Sequence, residues 1–167
     1  MNIVTRRISL ADAPQLRTIR LRALQTDPLA FGSTYEREID RDTKAWEAWA
    51  TAHGKGADKA TFLALRGADA VGIAAGMREL EAKTFGLFSM WVAPEARRSG
   101  VGRKLVDHVV DWAIASGANR IALWVTQAPA IAFYERCGFT DDGRRQPLPH
   151  TPAMIEKGMS RELPSRP

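Results

Sequence analysis

One cysteine, Cys137, occurs in 167 residues, so the chain can form no intrachain disulfide and no two-cysteine metal site. Long hydrophobic runs are missing too: the uncharged stretch from Ala70 to Met77 is far too short to cross a bilayer. The opening residues MNIVTRRISLADAP hold no continuous apolar core and do not read as a secretory signal. Outside one loop no basic run exceeds two arginines, so the formal charge of +5 is not read as a nucleic-acid surface. That excess suits a ligand carrying several phosphates equally well. With no internal repeat and no low-complexity linker, a single domain over residues 1–163 is expected, with 164–167 fraying. These absences leave a cytoplasmic protein with no metal, no membrane and no nucleic-acid partner as the expectation.

What is present is ordinary for a globular chain, with 45% hydrophobic and 26% charged residues. Ile3 to Leu10 reads as a strand. Asp12 reads as an N-cap with Pro14 just inside the helix, and Leu16, Ile19, Arg20 and Ala23 follow at helical spacing until Asp27-Pro28. Thr43 is a cap for a second helix, Lys44 to Ala52, with Trp46 and Trp49 on one side. Thr61 to Arg66 and Ala70 to Leu80 pair through the turn Gly67-Ala68-Asp69. Phe85 to Val92 is nearly all apolar and reads as a central strand buried on both faces. Val101, Leu105, Val109 and Trp112 form the stripe of a helix from Gly102 to Ala115, closed by Gly117. Ile121 to Val125 is another apolar strand, and Ala130 to Cys137 a short helix stopped by Gly138. Strands from Phe139 and over Ala153 to Leu163 complete a mixed sheet with helices on both faces.

The segment VAPEARRSGVGRKL, Val92 to Leu105, carries the chemistry. A strand ends at a proline, two arginines and a Gly-x-Gly turn follow, and a helix begins. Small residues let backbone N–H groups approach phosphate oxygens, and the helix N-terminus adds a positive dipole end. Arg97, Arg98, Arg103 and Lys104 surround it with no acid among them. A dinucleotide fingerprint would need a third glycine where Leu105 stands, and a P-loop would need Ser or Thr after a Gly-Lys pair; neither is present.

A second segment, APAIAFYERCGF from Ala128 to Phe139, follows the next buried strand. Together with Arg97-x-x-Gly100-x-Gly102 it resembles the GCN5-related N-acetyltransferase (GNAT) family, closely from Phe85 to Phe139. The resemblance implies an α/β (α+β) fold: a single-domain three-layer α-β-α sandwich with about four helices. Its mixed, mostly antiparallel sheet of about seven strands is splayed between the fourth and fifth.

It also implies an acetyl-CoA-dependent N-acetyltransferase acting by direct attack in a ternary complex, with a non-catalytic acyl-CoA sensor as the alternative. By resemblance, Arg97, Arg98, Ser99, Gly100, Val101, Gly102 and Arg103 hold the pyrophosphate through backbone amides, and Met90, Trp91 and Val92 lie along the pantetheine arm. Tyr134 matches the tyrosine that protonates the departing thiolate, a mildly uphill transfer from a phenol of pKa about 10 to a thiol of about 8.5. An asparagine the family usually has after this strand is missing; Gln127 stands nearest that place.

The acceptor is expected to be the amine of a small molecule or peptide. An amine of pKa about 10.4 is almost wholly protonated at pH 7, so a base is needed, and Glu79 and Glu81 lie near where the family often keeps one. Phe31, Tyr35, Glu36 and Glu38 could form an aromatic-acidic acceptor pocket, with Tyr35 and Glu38 on one face if that segment is helical. His150, in a proline-bounded loop, is a further acceptor-side candidate. Many members of the family dimerise, which leaves a homodimer open.

Overall fold

The structure is a computed structural model that describes residues 2–165, so the fraying expected of 164–167 lies partly outside the described residues. Seven strands form one sheet: β1 (Ile3–Arg7), β2 (Lys59–Arg66), β3 (Asp69–Arg78), β4 (Thr84–Val92), β5 (Arg120–Val125), β6 (Thr140–Leu148) and β7 (Thr151–Glu162). Their order is β1-β2-β3-β4-β5-β7-β6, antiparallel throughout except for the parallel pair β4–β5. Five helices flank them: α1 (Ala13–Thr26), α2 (Tyr35–Glu38), α3 (Thr43–His53), α4 (Val101–Ala115) and α5 (Ala128–Arg136). The apolar stripe of α4, Val101, Leu105, Val109 and Trp112, is buried against β2, β3 and β4, while α1 and α3 cover the opposite face. No helix of the described residues is long and apolar enough to cross a membrane.

The expected helix starts need two corrections. Asp12 stands at the α1 N-cap, but its carboxylate turns back to the Ser9 amide at 2.8 Å and to Arg6, closing a 3-10 turn over Leu10–Asp12. Hydrogen bonds from Arg6 pull its pKa down to about 2. The cap of α3 is Asp42 rather than Thr43, its carboxylate accepting from the Ala45 amide at 2.8 Å. Asp outranks Thr as a cap, and Thr43 becomes the first helical residue.

The β4–β5 pairing spans only Thr84–Gly86 against Arg120–Ala122. Beyond it the two strands part. On its other side β4 stays paired with β3, but between Phe88 and Trp91 it carries one residue more than the facing segment Ile73–Ala75. Ser89 sits in that bulge with φ +54°, a left-handed conformation that costs a non-glycine residue about 1 kcal/mol or more. The expectation that β4 is buried on both faces therefore fails past Leu87, where only Trp91 stays buried. Phe88 is 38% exposed, and Ser89, Met90 and Val92 are half-buried, because β5 has peeled away.

Away from the splay, α3 packs on β2 through a buried polar cluster. Thr61 Oγ1 accepts from Trp49 Nε1 at 3.1 Å and shares a hydrogen bond with His53 Nδ1 at 2.8 Å. Burial pushes the His53 pKa down from 6.5 to about 4, helped by Lys59 and Arg7. The unfolded chain takes up this proton below pH 6.5, the folded chain only near pH 4, so the stabilisation is complete above that window and is lost as the pH falls through it. Thermal unfolding across this range is expected to show a loss of roughly 3 kcal/mol at most, which His53→Gln removes.

Candidate active site

The parted edges of β4 and β5 form a V that opens towards their C-terminal ends. Its inner wall is a narrow cavity of about 60 Å³ lined by Met90, Trp124, Val125, Gln127, Ala130 and Tyr134, among others. A larger concavity of about 450 Å³ lies between α1 and the β2–β3 hairpin, walled by Arg22, Arg66, Asp69 and Glu95. Size does not decide between them. The V is where strands part inside the sheet, and it leads to the glycine loop.

That loop enters α4 through Gly100, whose φ of +82° is a conformation only glycine adopts freely. Among the described residues, no amide from Arg98 to Arg103 donates to the protein; the ladder starts with Lys104 N on Gly100 O at 3.1 Å. These free N–H groups and the α4 dipole face the same exposed surface, an anion site by construction. At Gly102 a Cβ would press on the Phe133 ring at 3.2 Å and Met90 Cε at 3.4 Å, so the glycine lets α4, α5 and β4 meet at the mouth of the V.

The expected loop residues divide. Arg98, Ser99 and Gly100 are exposed, and Lys104 beside them is exposed without an ion pair among the described residues. Arg97 is committed elsewhere: its guanidinium donates to Asp27 at 2.7 Å and to the Val92 carbonyl at 2.9 Å. These bonds fix Nε and Nη2, while the side chain stays 45% exposed. Arg103 is likewise tied to Asp107 at 3.1 Å and to the Arg136 carbonyl at 2.9 Å, joining α4 to α5. Trp91 turns away from the V, buried on the α1 face with Nε1 on Asp27 at 2.6 Å. The side chain of Val101 is core. Neither side chain reaches the V, and the backbone of Trp91 pairs with Ile73 of β3. Gln127 is exposed at the N-terminus of α5, lines the cavity and has no hydrogen bond through its side chain.

Tyr134 is held edge-on between Phe133 and Phe139, with centroids at 5.2 and 5.8 Å. Its hydroxyl has no partner among the described residues, and burial pushes its pKa well above the ordinary phenol value. Cys137 is buried, and burial raises its thiol pKa, so it is an inert packing residue rather than an acyl carrier.

On the α1 face the acceptor-side expectations need correction. Phe31 is buried, packed under the Arg20 guanidinium at 5.0 Å. Glu38 is 1% exposed and gripped by Arg20 through two bonds of 2.8 and 3.0 Å, so it presents no free carboxylate. Burial opposes its ionisation most strongly, but the bonds and charge of Arg20, with Ser33 and Arg41, together hold the carboxyl below its usual range. Tyr35 and Glu38 do share the single turn of α2; Tyr35 is half-buried and Glu36 exposed. His150 donates through Nε2 to the Phe31 carbonyl at 2.7 Å, which leaves Nδ1 to accept from Thr151 at 2.9 Å. It is a staple for the α1–α2 connection and has no free nitrogen.

Glu79 is exposed, and its Oε1 hangs over Gly86, where a Cβ would strike both that oxygen and the Phe88 ring. It forms no ion pair among the described residues, whereas Glu81 lies 3.6 Å from Arg120. Four contributors were missed from the sequence. Phe88 flanks the opening, Thr126 donates to the Leu29 carbonyl at 2.8 Å across the V, Trp124 lies 4.5 Å beneath Arg144, and Arg20 reaches Ser89. Of these, Arg20 left a signal: a cation on the apolar stripe of α1 demands a buried acid.

Comparison with known proteins agrees with this geometry. The family described as "Acetyltransferase (GNAT) family" matches residues 19–139. The streptothricin acetyltransferase of Streptomyces lavendulae is 40% identical over 92 residues, covering 53% of this chain and 48% of that protein. The chain thus spans about half the length of this curated relative. A GNAT acetyltransferase from Streptococcus pneumoniae superposes with a TM-score of 0.83 at 19% identity, covering 98% of this chain and 100% of that one. An acetyltransferase from Salmonella typhimurium, solved with its cofactor acetyl-CoA, superposes with a TM-score of 0.81 at 20% identity, covering 100% and 97%. A family match running from α1 to the end of the tyrosine helix, on a sheet parted between β4 and β5, shows that this chain belongs to the GNAT acetyltransferase family.

Proposed function

We propose that the chain is an N-acetyltransferase that moves an acetyl group from acetyl-CoA to the amine of a small molecule or peptide by direct attack in a ternary complex. The observation that carries this reading is the continuity of the V: free amides at its mouth, unpaired strand edges along its walls and a partnerless phenol inside. The residues fit the donor. Loop amides from Arg98 to Arg103 would hold its pyrophosphate, and the bare edge of β4 past Gly86 would pair with its extended arm as an added strand does. When bound, acetyl-CoA supplies an acetyl group activated as a thioester.

Backbone N–H groups of β4 near Met90 would donate to the oxygen that gains charge as the amine nitrogen bonds to the acetyl carbon. Tyr134 would give its proton to the leaving sulfur as the C–S bond breaks, and Glu79 would take the amine proton, through water. The amine arrives on the α1 face, past Phe88, because α4 and α5 close the other. The printed name of the streptothricin acetyltransferase supports a small-molecule acceptor.

Release of free thiol over a panel of amines tests the reading. Turnover with at least one amine supports it; thermal stabilisation by acetyl-CoA with no thiol release from any amine would instead favour the sensor. Glu79→Gln is expected to lower kcat/KM on the order of 100-fold at pH 7, with the gap closing as the pH nears the amine pKa. Glu81→Gln, measured alongside, stays within about twofold because that group is not a proton acceptor in the scheme.

A further inference from the structure

We infer that Arg20 is a positioning residue for acyl transfer, locking the β4 bulge through Ser89. The inference rests on the proposed role of the β4 amides. Arg20 lies on α1, 7% exposed, between the faces of Phe31 at 5.0 Å and Trp49 at 5.7 Å. Two of its N–H groups grip Glu38, from Nε at 3.0 Å and Nη2 at 2.8 Å. The planar fork then has one fixed direction left, and along it Nη1 donates to Ser89 Oγ at 3.2 Å.

Ser89 is the residue of β4 with φ +54°, so its backbone is strained. The adjoining Met90 lines the V while Trp91 pairs back to Ile73 of β3, and a bulge one residue out of register would turn the Met90 N–H away from the cleft. A buried ion pair is a poor stabilising device, since well-packed apolar residues of the same size often serve as well. What an apolar pair cannot do is hold a serine hydroxyl. Glu38 therefore aims Arg20, Arg20 holds Ser89, and Ser89 keeps the bulge in the one conformation that points its amides into the cleft. The two residues expected to bind the acceptor from α2 and its preceding loop, Phe31 and Glu38, act here as the seat of that lock.

Two variants separate positioning from stability: Ser89→Ala, which leaves the ion pair intact, and Arg20→Met with Glu38→Leu, which replaces the pair with apolar bulk. In the ligand-free protein, amide hydrogen exchange at Ile73 and Trp91, which face each other beside the bulge, is expected to rise at least about tenfold in both, with β2 amides unchanged. With donor and acceptor, kcat falls about tenfold in both while the KM for acetyl-CoA stays within about threefold. The double variant keeps a melting temperature within a few degrees of the parent. Unchanged exchange at the bulge, or a kcat loss that only tracks lost folding, overturns the inference. Absence of turnover in the parent protein overturns the N-acetyltransferase reading itself, a result the exchange measurement does not share.

Discussion

Tyr134→Phe is expected to turn over at least about 100-fold more slowly than the parent, while acetyl-CoA still raises the melting temperature by the parent amount. Thiol release and thermal unfolding measure the two halves. The substitution removes one oxygen from a residue whose ring is wedged between Phe133 and Phe139, so packing is conserved. That oxygen has no partner among the described residues, so its loss strands no group there. The proton inventory is the issue. Burial pushes the phenol pKa above its ordinary value, which keeps the proton in place through the whole alkaline range but makes it harder to give. A thiolate leaving into the same apolar cleft has its own pKa raised for the same reason, which narrows the mismatch. Turnover should consequently show no loss from Tyr134 ionisation at any pH up to about 10. A kcat within about threefold of the parent in the phenylalanine variant would remove Tyr134 as proton donor.

Gly100→Glu is expected to weaken acetyl-CoA binding at least about 100-fold, abolishing the thermal shift at millimolar ligand. Nothing lies within 4 Å of a Cβ built at Gly100, so the larger side chain meets no clash and the protein folds. Two effects combine. The left-handed φ of +82° is unfavourable for glutamate by about 1–2 kcal/mol, and a carboxylate now stands among amides that would bind a pyrophosphate of the same sign. Gly100→Ala separates them: it carries the backbone strain without the charge and should retain most of the shift, measured by isothermal titration. Equal loss in both variants would mean that loop conformation alone governs binding. Full affinity in the glutamate variant would take the pyrophosphate away from this loop.

The legibility of the chain follows the range of the forces involved. The α4 stripe, the loop glycines and the α5 segment were readable because each depends on residues a few positions apart. The residues expected on the acceptor side depart from expectation for one shared reason. Phe31, Glu38 and His150 look like free binding groups in a polar-aromatic stretch, yet Arg20 claims the first two and the Phe31 carbonyl claims the third from elsewhere in the sequence. Phe88 was misread in the opposite direction, as core, because alternation along β4 cannot reveal where its neighbour β5 departs.

The sequence by itself determined the family, the glycine turn into α4 and the α5 segment, since helix ends and glycine conformations are local properties of the chain. Only the tertiary structure decided which charges are free. It committed Arg97 and Arg103 to Asp27 and Asp107, tied Glu38 to Arg20 and His150 to Phe31, and left Glu79 unpaired over Gly86. A charged side chain reaches partners anywhere within a few ångströms of space, whatever their distance along the chain. Whether it serves a ligand or the fold is settled by that packing.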